Sequence, residues 1–240
     1  MLAGVAGVSA QTPVFTPVAP VRDFTVVARY PHDISSFTEG LIYLDGQLYE
    51  GTGMNGQSRL LRVDLDTGEA LESHDLSAEE FGEGITILDG KIYQLTWKNQ
   101  IAHVFDLQSF EEIGTRAYVG EGWGLTTDGT SLIMSNGSDQ IVYRDPDTFE
   151  ITKTIDVRDG DNPIVNLNEL EYIDGVIWAN VWRTSMIARI DAETGKVIDW
   201  LDLTALDEEA TAANPAVDVL NGIAYNPESG TVFVTGKYWP

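Results

Sequence analysis

Four polar side chains lie at corresponding positions of a short sequence segment that is repeated along this chain. Their types suit proton transfer on a carbonyl compound. Glu39, Glu83 and Asn168 each lie seven residues before a turn glycine, and Lys237 lies seven residues after one. Two neighbouring carboxyl groups can keep one of the pair protonated near neutral pH, which provides a general acid and base. Lys237 offers a fixed positive charge and Asn168 a two-way hydrogen-bonding amide. The set indicates chemistry that needs no metal ion.

Three tryptophans occupy matching positions of the same repeats. Trp97 and Trp182 lie seven residues after a turn glycine, and Trp123 begins the third copy of the phrase. Indoles at one rim would enclose a small group that is partly polar and partly apolar. A single tryptophan at the end of a strand more often packs against its neighbours, and a single glutamate in a loop is usually solvated. The coincidence of these residues in one register is what favours a binding site.

The repeated phrase has the pattern of a β-hairpin. Each copy is an apolar run, a turn built on glycine and a second apolar run. Asp-Gly forms four of the five turns, and glycine there supplies the positive φ that a two-residue hairpin turn requires. The copies begin at Glu39, Glu83, Trp123, Asn168 and Asn221, and their turn glycines are Gly46, Gly90, Gly129, Gly175 and Gly230.

The spacing of the turn glycines predicts the architecture. They recur every 39 to 55 residues, a period typical of four-stranded propeller blades. A second two-stranded unit follows each of the first four hairpins, and one such sheet cannot bury both of its faces alone. We therefore predict an all-β fold, a five-bladed β-propeller of four-stranded antiparallel blades. The residues that enter and leave each hairpin would then ring one mouth of the central channel.

The two ends of the chain predict how the ring closes. Residues 23–34 match the outermost strands of the later repeats, so we expect this N-terminal strand to close the last blade. No third strand follows the fifth hairpin before Pro240, so the last blade is expected to lack one strand. Residues 1–21 resemble the apolar end of a signal peptide followed by a linker, and residues 22–240 form the propeller catalytic domain. The helix candidate is 206–213, between the fourth and fifth repeats.

The composition excludes several classes of function. The 14 Lys and Arg against 38 Asp and Glu give a net charge of -24, which disfavours nucleic acid and anionic membranes as partners. The sequence contains no run of 18 or more apolar residues, the length that a membrane-spanning helix needs. There is no cysteine, and the three histidines have no metal-ligand spacing. We expect a secreted or periplasmic protein without a cofactor, although a structural calcium ion stays open.

Five motifs resemble the plant and bacterial type of glutaminyl cyclase, also called glutamine cyclotransferase. They are FTEGL (37–41), FGEGI (81–85), GEGWGL (120–125), LNELEYIDGVIWANVW (167–182) and VTGKYWP (234–240). The resemblance covers Phe24 to Pro240, in order and at matching spacing. It implies a five-bladed propeller and an acyltransferase that converts the N-terminal glutamine of a peptide or protein into pyroglutamate and releases ammonia. This type is unrelated to the zinc-dependent animal enzymes.

The resemblance also implies roles for single residues. The acid–base glutamate falls on Glu83, so the choice of Glu83 over Glu39 rests on the resemblance. The other positions are an aromatic cage at Phe37, Trp97, Trp123 and Trp182, an asparagine at Asn168 and a lysine at Lys237. Plant members carry glutamine where Glu39 stands. The additional carboxylate should bind a protonated substrate amine more strongly and raise the pKa of at least one carboxyl group.

Two other functions stay open at this point. A calcium-dependent propeller lactonase or hydrolase would use Glu39, Glu83, Asn168 and Asn221 as oxygen ligands, but the indole-rich rim argues against it. A non-catalytic peptide-binding propeller would recognise the same peptide terminus and release no ammonia.

Overall fold

Four antiparallel, four-stranded sheets follow one another along the chain and form blades of a β-propeller. The computed structural model describes residues 16–240. A short strand, β1 (Val21–Arg22), precedes blade 1, which is β2 (Thr38–Leu44), β3 (Gln47–Thr52), β4 (Arg59–Asp64) and β5 (Ala70–Asp75). Blade 2 is β6 (Gly82–Leu88), β7 (Lys91–Thr96), β8 (Ile101–Asp106) and β9 (Glu112–Ala117). Blade 3 is β10 (Leu125–Thr127), β11 (Leu132–Met134), β12 (Gln140–Arg144) and β13 (Ile151–Asp156).

The rest of the chain contains blade 4 and one more hairpin. A small ladder joins β14 (Arg158–Asp159) to β15 (Asn162–Pro163). Blade 4 is β16 (Leu167–Ile173), β17 (Val176–Val181), β18 (Met186–Asp191) and β19 (Val197–Asp202). The helix α1 (Thr204–Ala213) then leads to the two-stranded sheet of β20 (Leu220–Asn226) and β21 (Thr231–Gly236). The helix confirms the prediction for 206–213 and begins two residues earlier.

The first turn of each blade follows the Asp-Gly prediction in blades 1, 2 and 4. Asp45, Asp89 and Asp174 each have a φ of 50° and precede glycines that also have positive φ, the backbone that matches the twist of paired strands. Blade 3 differs, because four residues, 128–131, separate β10 from β11. There the Asp128 carboxylate accepts the backbone N–H groups at 130 and 131, at 2.9 and 2.6 Å. The predicted two-residue turn was therefore wrong in blade 3.

The first strand of each sheet lies next to the first strand of the following sheet. β2 contacts β6, β6 contacts β10, β10 contacts β16, β16 contacts β20, and β20 contacts β2. Three glycines, Gly40, Gly84 and Gly124, allow this approach, because a Cβ on any of them would collide with the backbone of the next inner strand. Apolar side chains fill the space between blades, as where Leu60 of blade 1 packs with Ile92 of blade 2.

The N-terminal segment is attached to blade 4. The backbone N–H groups of Val18 and Ala19 both donate to the Asp159 carboxylate at 2.7 Å, and β1 pairs in parallel with β19. Residues 18–21, expected to be linker, are thus packed onto the sheet. Residues 1–15, which contain most of the expected signal-peptide segment, lie outside the described residues.

The expected closure of the last blade by an N-terminal strand is not confirmed. Within the described part of the chain, residues 23–37 form no strand, and β21 pairs only with β20. Among the described residues, no third strand lies on the outer edge of β21, so the N-terminal segment has no strand there to pair with. The segment instead meets the hairpin through side chains, as Tyr30 does against Phe233 with ring centroids 5.8 Å apart. Four complete blades are observed, and no helix within 16–240 is long and apolar enough to cross a membrane.

Candidate active site

The polar residues singled out from the repeats lie at interruptions in the pairing of the inner strands. The hairpin register shifts between Thr38 and Gly40 in blade 1 and between Gly82 and Ile85 in blade 2. Corresponding shifts flank Asn168 in blade 4 and Asn221 in the fifth hairpin. A β-bulge bends a strand and re-aims the side chain that it carries. The repeated bulge therefore explains how positions far apart in the chain present polar groups at one end of the propeller.

Glu39 is the centre of the resulting polar cluster. Its Oε1 accepts a hydrogen bond from the Lys237 Nζ at 2.6 Å, and its Oε2 accepts one from the Asn221 amide at 3.1 Å. The Lys237 ammonium also lies 4.3 Å from the centre of the Phe37 ring, which is a favourable cation–π distance. Because Glu39, Glu83 and Lys237 are at most 5% exposed, this charged group is almost fully removed from water.

Glu39 and Glu83 hold their protons more tightly than ordinary glutamates. Burial raises the pKa of Glu39 to about 7, although the charge and the hydrogen bond of Lys237 pull it down. Burial also raises the pKa of Glu83 well above its usual value, and the adjacent Glu39 charge raises it further. A side-chain hydrogen bond joins the two carboxyl groups. Of the two, Glu39 therefore ionises first, with its charge neutralised by Lys237, and Glu83 keeps its proton to higher pH.

A rim of aromatic rings leads away from this cluster. The Phe37 ring meets Phe81 edge-on at 6.0 Å, and Phe81 meets Trp97 at 5.7 Å. Trp123 and Trp182 form a second edge-to-face pair at 5.6 Å and 84°. Edge-to-face packing is a preferred arrangement of aromatic rings. The four cage residues predicted from the sequence thus belong to two groups of contacting rings.

Two glycines leave room for these rings. A Cβ on Gly53 would collide with the Phe81 ring, and one on Gly137 would lie 2.6 Å from the Trp123 ring. Gly137 also has a φ of 78°, a conformation that favours glycine. Gly53 lies seven residues after the turn glycine Gly46, the repeat position that Trp97 and Trp182 occupy in their own copies, and Gly137 lies eight residues after Gly129.

Glu121 connects the two groups of rings. Its Oε2 accepts the indole N–H of Trp97 at 2.8 Å and the indole N–H of Trp123 at 3.1 Å. Lys98 lies 3.6 Å from the other carboxylate oxygen and 3.6 Å from the centre of a Trp97 ring. The rim therefore contains one carboxylate that no repeat position predicted.

Asn168 offers an unused hydrogen-bond acceptor. Its side chain is 3% exposed, and its Oδ1 has no protein partner. Its backbone carbonyl accepts the Ser135 hydroxyl at 2.7 Å, and the same hydroxyl oxygen accepts the Gly124 N–H. Asn168 is thereby fixed beside the strand that follows Trp123. A buried acceptor without a partner is costly, so this oxygen is suited to bind a donor of a substrate.

The residue after Asn168 connects three inner strands. Glu169 stands where the other four copies of the phrase carry glycine, and its carboxyl accepts the Leu41 N–H at 3.2 Å and the Ile223 N–H. These N–H groups lie on the free edges of two inner strands. Burial raises the pKa of Glu169 well above its usual value. The Glu169 side chain thus links β16 to the inner strands β2 and β20.

The structure brings most of the predicted site residues together. Lys237 contacts both Glu39 and Phe37, and Glu83 adjoins Glu39. The rim consists of Trp97, Trp123 and Trp182 with Glu121 and Phe81. Three residues were missed, namely Phe81, Glu121 and Tyr238, whose ring lies 5.2 Å from that of Phe37. All three lie inside the motifs FGEGI, GEGWGL and VTGKYWP. Their position beside the predicted site residues could have identified them. Within residues 16–240 no three acidic or histidine side chains converge to hold a metal ion.

Known proteins resemble this chain over most of its length. The glutamine cyclotransferase family profile matches residues 1–240. The glutaminyl-peptide cyclotransferase of Arabidopsis thaliana is 37% identical over 223 residues, which are 92% of this chain and 70% of that protein. The crystal structure of glutaminyl cyclase from Myxococcus xanthus superposes with a TM-score of 0.83 at 35% identity, and covers 90% of this chain and 92% of that one.

Proposed function

The chain belongs to the glutamine cyclotransferase family, and from this premise we propose that it converts the N-terminal glutamine of peptides or proteins into pyroglutamate with release of ammonia. The observation that carries the proposal is the buried pair of Glu39 and Glu83, which lies beside Lys237 and next to an aromatic rim. Such a pair can give and take a proton near neutral pH, as this reaction requires.

The first step is the closure of the ring. The neutral α-amine of the substrate attacks its own γ-carbonyl carbon, so a carbon–nitrogen bond forms and negative charge develops on the carbonyl oxygen. The Lys237 ammonium has three donors, of which Glu39 uses one. A second donor stabilises the developing oxyanion. Amine and carboxamide belong to one residue, so an enclosed and folded conformer accounts for much of the rate gain.

The second step expels ammonia. Glu83 donates its proton to the departing nitrogen, and the carbon–nitrogen bond breaks with its electron pair on ammonia. The Glu83 carboxylate then takes the extra proton from the new ring nitrogen, which returns the enzyme to its starting state. The free Oδ1 of Asn168 accepts a hydrogen bond from the substrate carboxamide. The indoles of Trp97, Trp123 and Trp182, with Phe37, enclose the aliphatic part of the side chain.

We also propose that the hairpin of β20 and β21 stands as a fifth blade. It contacts the inner strand of blade 4 on one side and that of blade 1 on the other, which supports a closed ring. The apolar N-terminal stretch supports an exported, secreted or periplasmic protein. Fractionation of cells that express the full chain would test this localisation.

The function is tested with a short peptide that begins with glutamine. Incubation should yield one equivalent of ammonia and a peptide lighter by one NH3, with and without a calcium and zinc chelator. Activity that disappears with the chelator would favour a metal-dependent hydrolase. A peptide that binds and stays unchanged would favour a binding protein. A matched peptide that begins with asparagine should stay unchanged.

A further inference from the structure

Glu121 takes no part in the proton transfers above, yet it contacts two walls of the pocket. One of its oxygens accepts the indole N–H of both Trp97 and Trp123, at 2.8 and 3.1 Å. An indole has a single N–H donor, so engaging it fixes the rotation of the ring. Trp97 follows β7 in blade 2 and Trp123 precedes β10 in blade 3. One carboxylate therefore sets the relative orientation of rings that come from two blades.

The effect of this contact extends along the rim. Trp97 packs edge-on against Phe81 at 5.7 Å, and Trp123 packs edge-on against Trp182 at 5.6 Å. Rings packed edge to face transmit a rotation, since either ring can turn only if its neighbour moves. Glu121 lies between these two pairs, so its loss would release rings on both sides of it.

Glu121 carries a full negative charge for this purpose. Burial favours its protonated form, but the hydrogen bonds from Trp123 and Trp97 and the charge of Lys98 outweigh burial, so the pKa of Glu121 lies below its usual value. Hydrogen bonds to an ionised acceptor are stronger than those to a neutral one. The same charge disfavours ionisation of Glu83. This third carboxylate near the pair is stabilised by the two indoles and Lys98.

We propose that Glu121 is a positioning residue, whose carboxylate holds the indoles of Trp97 and Trp123 in the orientation that encloses the glutaminyl side chain. The identity of the enclosed group rests on the proposed function, whereas the fixing of the indoles rests on the contacts alone. Glu121 therefore acts through the tryptophans and not on the reacting atoms.

The test compares two substitutions with a matched control. Glu121→Ala removes the acceptor, and Glu121→Gln keeps an oxygen acceptor without the charge. Glu111→Gln makes the same change in net charge on an exposed turn of blade 2, where no side-chain contact to a tryptophan exists among the described residues. Steady-state kinetics with a glutamine-initiated peptide and the near-ultraviolet circular dichroism of the free protein are measured for each variant.

Glu121→Ala should raise KM roughly tenfold to hundredfold with a smaller change in kcat, since the rings contribute binding that is uniform through the reaction. It should also weaken the near-ultraviolet tryptophan bands. Glu121→Gln should lie between the wild type and Glu121→Ala, and Glu111→Gln should match the wild type. An unchanged KM with unchanged bands in Glu121→Ala would overturn the proposal. So would a Glu121→Gln variant no better than Glu121→Ala.

The readouts separate this proposal from the proposed function. A wild-type protein that releases no ammonia would refute the cyclase function, while the near-ultraviolet bands would still report whether Glu121 orders the indoles. If Glu121→Ala does not fold, Glu121→Gln with its thermal unfolding curve provides the same comparison.

Discussion

Substitution of Glu39 by glutamine should lower the pKa of Glu83. The amide keeps a hydrogen-bond acceptor for Lys237 but removes the negative charge that makes Glu83 hold its proton. Two unit charges about 4 Å apart repel by about 4 kcal/mol at an effective dielectric constant of about 20, and the substitution removes a repulsion of this order. Lys237, released from its ion pair, would pull the pKa of Glu83 in the same direction.

The pKa of Glu83 can be followed directly by carbon NMR of protein labelled at the glutamate δ-carboxyl carbon. The Glu83 resonance is the one that disappears in Glu83→Gln. Its titration midpoint should move to lower pH in Glu39→Gln, because the adjacent negative charge is gone, and stay in place in the control Glu111→Gln. A midpoint that does not move in Glu39→Gln, or that rises, would refute the account of the coupled pair.

Three further substitutions test other parts of the account. Lys237→Met should lower kcat roughly 10²- to 10³-fold and raise the pKa of Glu39, since Lys237 lowers that pKa in the wild type. Steady-state kinetics and the carbon NMR titration measure both effects, and an unchanged kcat with an unchanged Glu39 midpoint would contradict this role. Gly137→Ala places a Cβ against the Trp123 ring and should raise KM roughly tenfold or more, measured against wild type with one peptide. Burial raises the pKa of folded Glu169 above its unfolded value of about 4.3, so its contribution to stability falls as pH rises above that unfolded value, by at most about 1.4 kcal/mol per pH unit. Urea unfolding at pH 5 and pH 8 should show a smaller fall for Glu169→Gln, and an equal fall would contradict this.

The repeats alone predicted a β-propeller of four-stranded blades, of which four are observed, and they singled out most of the candidate site residues. Asp-Gly turns at regular intervals specify hairpins because few other dipeptides adopt positive φ at both positions. In a ring of such hairpins, the same repeat position always lies at the same end of the propeller. Glu39, Glu83 and Lys237 could therefore be placed at one mouth from spacing alone.

Features that depart from the repeat were harder to predict from the sequence. The third blade has a longer turn because the Asp128 side chain organises it, which composition does not distinguish from a two-residue turn. Glu121 lies in a loop outside the aligned positions, and its role depends on which side its carboxylate faces. The N-terminal segment resembles a strand in composition, yet pairing needs a partner edge, and the edge of β21 is not reached.

The central claim is that Glu83 moves the protons of the cyclisation. The most direct measurement is kcat of Glu83→Gln with a glutamine-initiated peptide, because glutamine keeps the shape and loses the exchangeable acid proton. The account predicts that kcat falls roughly 10²- to 10⁴-fold with little change in KM. A variant that keeps most of the wild-type kcat would contradict it.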